Sequence, residues 1–178
     1  MKRTNKHLSG HLRTLAVAAF LAALSIVCGK YLAFPVGTVM RFSFENLPII
    51  LAGMLFGPAI GVMTAVVADL LGCVMVGYAI NPVVTIGAAC IGLVSGVIYR
   101  MLKKHSSILK IAVSVLSAHI IGSVLIKTWG LAVFYDMPFL VLLLWRLLNY
   151  VIVGTVEGLL IYCILKSNAV KRNLVKLR

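Results

Sequence analysis

Thirteen of the chain's seventeen lysines and arginines fall into three short clusters, and none of its four acidic residues does. The clusters are Lys2, Arg3, Lys6 and Arg13; then Arg100, Lys103, Lys104 and Lys110; then Lys166, Lys171, Arg172, Lys176 and Arg178. Between them the chain is close to pure hydrocarbon. Charge spaced in this way restricts the fold to a chain that crosses a membrane several times, because lysine and arginine collect on cytoplasmic loops and tails. Eight other charges remain: Lys30, Arg41, Lys127 and Arg146, with Glu45, Asp69, Asp136 and Glu157. They lie in the apolar stretches and in the connections on the opposite side. A charge inside hydrocarbon is expensive and by default marks function, so the site is sought among these eight.

Composition agrees. The chain is 62% hydrophobic and 12% charged, whereas soluble domains run nearer half apolar and a quarter charged. Its 178 residues hold one membrane domain and little else. The net charge of +13 is read as topogenic, and no nucleic-acid partner is expected, because no basic patch interleaved with aromatics lies on a polar fold. The first apolar run follows a basic segment but is long, ends at Lys30 and Tyr31, and leads into further spans, so no cleavable signal peptide is expected. Cys28, Cys73, Cys90 and Cys163 are scattered singly and read as small apolar helix residues. His7 and His11 stand four apart without a third ligand, so no metal is expected.

A helix needs about 20 apolar residues to cross ~30 Å of hydrocarbon. Spans are expected at roughly 12–34, 82–100, 108–131 and 137–165. Residues 46–77 hold either one helix or two, broken at Gly57-Pro58. One helix there would put the Lys103–Lys104 loop on the side opposite the N-terminal cluster. Two helices, about 45–56 and 58–76, bring all three clusters to one face. The expected fold is therefore an all-α integral membrane protein of six helices with both termini cytoplasmic. Residues 1–11 form an N-terminal segment, 12–166 the membrane domain and 167–178 a basic tail. Gly closes a helix and Pro opens the next, which suits the break. The second helix would rise only ~18 Å, so protein must surround its ends. The connection from Pro35 to Phe44 is expected to fold over it.

The outward connections, Pro35–Phe44, Cys73–Asn81 and Ala132–Pro138, adjoin stretches that mix charge or amide with aromatic rings. These are Arg41-Phe-Ser-Phe-Glu-Asn-Leu-Pro48, Ala68-Asp-Leu-Leu-Gly72, Tyr78-Ala-Ile-Asn-Pro82, Lys127-Thr-Trp-Gly-Leu131 and Trp145-Arg-Leu-Leu-Asn-Tyr150. Such residues suit a pocket that stacks a flat ring and pairs its polar edges. Hydrolytic chemistry has no support, since HExxH, GxSxG, Walker A and closely paired carboxylates are all missing. Arg146 and Glu157 are eleven residues apart, a rotation of about 1100°, so they share a helix face ~16 Å apart. Arg146 either snorkels to the outer headgroups or serves a ligand, and Asn149 and Tyr150 one turn deeper favour the ligand. For Glu157, packing polarity weighs evenly with ligand contact. Asp69 could hold a basic side chain or pair with the amidine-like edge of a heterocycle. Lys127, with Trp129 nearby, either snorkels or binds. Lys30 reads as an interfacial anchor, Asp136 as solvated, and His119 as a packed polar residue. In the first span Ala18/Ala22 and Ala19/Ala23 are small-xxx-small pairs that let another helix approach closely.

Together these residues resemble the substrate-specific (S) components of energy-coupling factor (ECF) vitamin transporters, over about Leu12 to Leu165. The superfamily features are the alanine pairs, Phe44-Glu-Asn-Leu-Pro48, Phe56-Gly-Pro58 and Ala68-Asp-Leu-Leu-Gly72. Arg41-Phe-Ser-Phe44, Lys127-Thr-Trp-Gly-Leu131 and Trp145-Arg-Leu-Leu-Asn-Tyr150 resemble the folate-specific branch. The resemblance implies a subunit of a bacterial cytoplasmic membrane that captures folate from outside and carries no ATP site or other cofactor. It implies docking through Ala18, Ala19, Ala22 and Ala23 onto a transmembrane coupling subunit with two cytoplasmic ATPases, and toppling in the lipid to deliver the cargo. It offers Arg41, Lys127 and Arg146 for the glutamyl carboxylates or the pterin oxygen. Asp69 and Asn149 are then candidates for the pterin edge, and Phe42, Tyr78, Trp129 and Tyr135 for stacking. Rival readings are an S component for riboflavin or thiamine, a stand-alone ion-coupled transporter, which would need inverted repeats, and an intramembrane enzyme.

Overall fold

The computed structural model describes residues 2–36, 40–136 and 138–167. The basic tail expected over 167–178 lies outside them from 168 onward. Helix α1 (Lys2–Ile26) continues through a π-helical turn, Val27–Tyr31. It starts well before the expected residue 12, because hydropathy marks where hydrocarbon begins and the backbone helix extends past that limit. Its apolar part is Gly10–Tyr31. Next comes an antiparallel hairpin of β1 (Phe34–Val36) and β2 (Met40–Phe42), pairing Phe34 with Phe42 and Val36 with Met40. The pairing lets this connection satisfy part of its own backbone, which a membrane boundary rewards.

The break between residues 46 and 77 is present. Helix α2 (Asn46–Phe56) and helix α3 (Pro58–Val76) meet at Gly57, whose φ of 105° suits glycine, and Pro58 opens α3. Helix α4 (Pro82–Met101) is capped by Asn81, whose side chain accepts from the N–H groups of Val83 and Val84. Helix α5 (Ser107–Ala118) runs into a π-helical segment, His119–Lys127, and then into helix α6 (Thr128–Tyr135) as one continuous rod. Helix α7 (Phe139–Lys166) closes the chain. Among the described residues this gives six helical units, five of them long and apolar enough to span a membrane; α2 is the short one.

At eleven residues α2 rises about 16 Å, roughly half the hydrocarbon thickness. The bundle encloses it: nine of its eleven residues are buried. Its Leu47, Ile50 and Met54 pack with Ala65 of α3, Ile91 of α4, Val115 of α5 and Ile161 of α7. At its far end the Arg100 guanidinium donates to the Phe56 carbonyl at 3.0 Å. An otherwise orphaned terminal carbonyl is thereby satisfied.

Helix α4 lies at the centre, packed on α2, α3, α5 and the π-helical segment. In lipid the exclusion of water adds nothing to helix association, so close van der Waals packing must hold the bundle. Glycines provide it. A Cβ on Gly53 of α2 would fall 2.5 Å from the Gly92 carbonyl oxygen and 2.6 Å from Ser95 Oγ. One on Gly96 would fall 2.7 Å from the Pro58 nitrogen and 2.8 Å from the Gly53 oxygen. Helix α7 is peripheral. It buries only Leu142, Asn149, Val153, Glu157 and Ile161, a stripe of four- and seven-residue steps, and exposes most of the rest of its surface.

Gly96→Val is expected to cost 1–3 kcal/mol or more, because the clashing atoms are backbone and cannot turn aside. Gly158→Ala, where nothing lies within 4 Å of the added carbon, is the matched control and leaves the midpoint unchanged or slightly raised. Thermal unfolding in detergent compares the two.

Candidate ligand-binding site

Two polar clusters occupy the bundle, both anchored on the π-helical segment His119–Lys127. Such wide turns favour functional positions in helices because they re-aim side chains and carbonyls. Polar residues recur every fourth position along it, at His119, Ser123 and Lys127, and all three are buried.

The first cluster lies at the hairpin end. Lys127 is 3% exposed, and its Nζ donates to Glu45 Oε1 at 3.1 Å. Lys127 therefore does not snorkel. The stem of Lys127 passes over Gly87 of α4, where a Cβ would come within 2.6 Å of its Cγ. Glu45 sits against Gly29 in the π turn of α1, with a Cβ there reaching within 2.8 Å of its carboxylate. The Glu45 backbone carbonyl accepts from Ser25 Oγ at 2.6 Å. Two glycines and a serine thus shape the seat of one ion pair. Asp69 of α3, half-buried, accepts from Thr85 Oγ1 of α4 at 2.6 Å. Lys30 lies beside Gly72, and its ammonium stands 5.3 Å from the centre of the Tyr78 ring. Asn81 donates to the Gly130 carbonyl at 3.1 Å, tying the start of α4 to α6.

The second cluster joins α7 to the same segment. His119 Nε2 lies 2.6 Å from Glu157 Oε2, with both side chains buried. His119 Nδ1 faces Ser123 Oγ at 3.4 Å, and the Tyr150 ring stacks on the imidazole at 4.8 Å between centroids. The Arg146 guanidinium donates to the Ser123 carbonyl at 3.0 Å, and the Thr128 hydroxyl donates to that same oxygen. Arg146 and Glu157 do share a face, and they reach the π-helical segment about one turn apart, at Ser123 and His119. His119 and Glu157 answer each other across the two helices.

Lys127 of the π-helical segment and Arg146 and Asn149 of α7 lie on adjoining helices, Asn149 buried one turn from Arg146, whereas Asp69 of α3 meets Thr85 of α4. Phe42 is half-buried at the end of β2, opposite Phe34. Tyr78 is exposed beneath Lys30. Trp129 is 58% exposed on the first turn of α6, so its ring stands on the bundle surface. Arg41 lies in β2 and Tyr135 ends α6, but their side chains are outside the described residues. The alanine stripe needs correction. Ala18 and Ala22 are buried within the chain, Ala22 packing with Ile26 and Ala68. They are unavailable to a partner helix because α3 covers that side of α1. Ala19 and Ala23 face outward, beside the exposed Phe20.

Sequence reasoning counted Glu45 among the eight charges and Tyr150 beside Arg146 but gave neither a role, and it passed over Thr85 and Ser123. The missing signal for Glu45 was arithmetic: a lysine that stays charged in hydrocarbon requires one of only four acids in the chain. The four-residue spacing of His119, Ser123 and Lys127 was the visible trace of the polar seam.

The chain belongs to the family of ECF transporter substrate-specific components, whose family model matches residues 13–167. It is therefore a multi-pass integral membrane protein and the substrate-binding subunit of a transporter. By sequence, no curated protein matches it. Among solved structures it is similar to FolT bound with folic acid, with a TM-score of 0.70 and 23% identity over 83% of this chain and 89% of that one. It is similar to the S component for biotin from an ECF-type ABC transporter, with a TM-score of 0.69 and 18% identity over 90% and 94%. It also resembles an S component of a bacterial ECF transporter, with a TM-score of 0.55 and 19% identity over 93% and 96%. At these identities the likeness is one of fold.

The His119–Glu157 pair gives a direct test of the second cluster. His119→Leu strands a buried carboxylate and is expected to cost roughly 3–5 kcal/mol. The double variant His119→Leu/Glu157→Leu removes both polar groups and recovers most of that loss. A double-mutant cycle in thermal midpoints checks it; equal losses for single and double variants would contradict the pairing.

Proposed function

We propose that the chain is the folate-binding S component of an ECF transporter. It captures folate from outside and releases it inside, in complex with a transmembrane coupling subunit and a pair of cytoplasmic ATPases. The observation that carries this reading is the convergence of two cations on one π-helical segment: Lys127 belongs to it, and Arg146 binds its Ser123 carbonyl. Two cations suit the two carboxylates of a glutamyl tail. Burying such a dianion without paired positive charge is prohibitive. Asp69 and Asn149 supply an acceptor and an amide for the amino and oxo edge of the pterin. Phe42 and Tyr78, with Trp129 on the first turn of α6 and Tyr135 at its end, are the candidates for aromatic walls, and Arg41 in β2 for a further cation at the tail. The likeness to FolT bound with folic acid supports the choice. The biotin S component is nearly as similar in fold, but biotin has one carboxylate and no aromatic ring, leaving a cation and the stacking groups without a use.

In this reading both termini, residues 1–11 and 167–178, are cytoplasmic, and the hairpin end of the bundle faces outward. Ala19 and Ala23 are the alanines left to meet the coupling subunit.

Two measurements bear on it. Folate titration of the purified protein should give tight binding, with riboflavin, thiamine and biotin failing to compete. Arg146→Ala and Lys127→Ala should each lose about 2–5 kcal/mol of binding free energy, some thirtyfold to several thousandfold in Kd. An affinity within twofold of the parent would remove that residue from the site. Separately, in a variant cleared of native cysteines, Ile80→Cys should react with an impermeant maleimide added outside and Ser106→Cys should not. The reverse pattern would invert the assigned orientation.

A further inference from the structure

We propose that the Glu45 carboxylate is a built-in stand-in for the ligand's anionic tail, and that folate loads by taking its place on Lys127. The inference rests on the folate reading and adds a residue that works against the ligand. Three observations carry it.

First, the pair is lopsided. The Lys127 side chain is 4% exposed and that of Glu45 25%. The acid covers the base, so an incoming anion meets Glu45 before it can reach the ammonium. Asp69 and Tyr150 are the other electronegative groups facing Lys127, and neither lies within ion-pair distance of it.

Second, Lys127 is held within a helix, whereas Glu45 stands at a helix entry. The lysine stem is confined over Gly87 within a continuous rod. Glu45 precedes the first residue of α2, and only Ser43 and Phe44 separate it from the end of β2. Its side chain stands at the entry of α2, against Gly29 of the π turn, and not within a helix interior. Its backbone stays tied through the carbonyl bond to Ser25, so the carboxylate can leave without the start of α2 coming loose.

Third, the charge balance fits exchange. A buried ammonium left bare in the empty protein would be costly, and Glu45 removes that cost until a carboxylate arrives. A site held by a competitor binds with apparent affinity reduced by the fraction of molecules that are free. Glu45 therefore weakens folate binding until the ligand's carboxylate displaces it.

The experiment uses the full chain in nanodiscs with two probes, folate and its neutral α,γ-dimethyl ester. Glu45→Gln should bind folate about tenfold more tightly than the parent, with affinity for the ester unchanged. In Glu45→Gln/Lys127→Gln the gain should vanish. If Glu45→Gln weakens folate and ester alike, Glu45 is a structural support and the proposal is overturned. Should Glu45→Gln fail to fold, Glu45→Asp keeps the charge but draws the carboxylate back; a smaller gain confined to folate supports the exchange, and no gain overturns it. If the parent binds no folate at all, the folate reading fails, and exchange is then judged with glutarate. Millimolar glutarate should raise the thermal midpoint of Glu45→Gln but not of the parent or the double variant; no rise in Glu45→Gln overturns the exchange itself.

Discussion

The fold depends on charges in hydrocarbon being answered by groups on another helix. Lys127 and Glu45 join the π-helical segment to the entry of α2. Glu157 and His119 join α7 to the other end of that segment. Arg146 adds a third tie through the Ser123 carbonyl. In a bilayer, apolar side chains gain no hydrophobic driving force from meeting one another rather than lipid tails. Polar ties of this kind therefore fix which helix lies beside which and at what register. Helix α7 shows it most plainly. Most of its surface faces outward, and its attachment runs along the single stripe that carries Arg146, Asn149 and Glu157.

Glycine sets the other constraint. Where α2, α3 and α4 cross, Gly53, Gly61, Gly92 and Gly96 bring backbones to a separation that a single Cβ would prevent. The half-length α2 can be enclosed only because its neighbours come that close. Gly29, Gly72 and Gly87 do the same for charged stems, seating Glu45, Lys30 and Lys127 against neighbouring helices. Glycine thus shapes both the frame and the polar seam, and a glycine-poor version of the bundle would have to widen at both.

Much of this was legible in the chain. Sidedness bookkeeping on three basic clusters divided residues 46–77 into two helices, and Gly57-Pro58 marked the break. The rotation between Arg146 and Glu157 put them on one face. What escaped was partner identity. Hydropathy shows that Lys127 is costly, but only the fold shows that Glu45, more than eighty residues earlier, answers it. The same holds for Thr85 with Asp69 and for Tyr150 with His119. The π-helical geometry over 119–127 was also invisible, because an apolar run reads alike whether its hydrogen bonds span four residues or five. The alanine stripe misled for a related reason: small residues mark close approach but not whose helix approaches, and α3 takes Ala18 and Ala22 for the chain itself.

Arg100 carries a consequence of its own. It belongs to one of the basic clusters expected to decide which way the chain threads the bilayer, and it also closes the exposed carbonyl end of α2. One side chain thus belongs both to a basic cluster and to the bond that completes the buried helix. Replacing it would thin that cluster and, in the same stroke, leave the carbonyl end of the shortest helix unanswered.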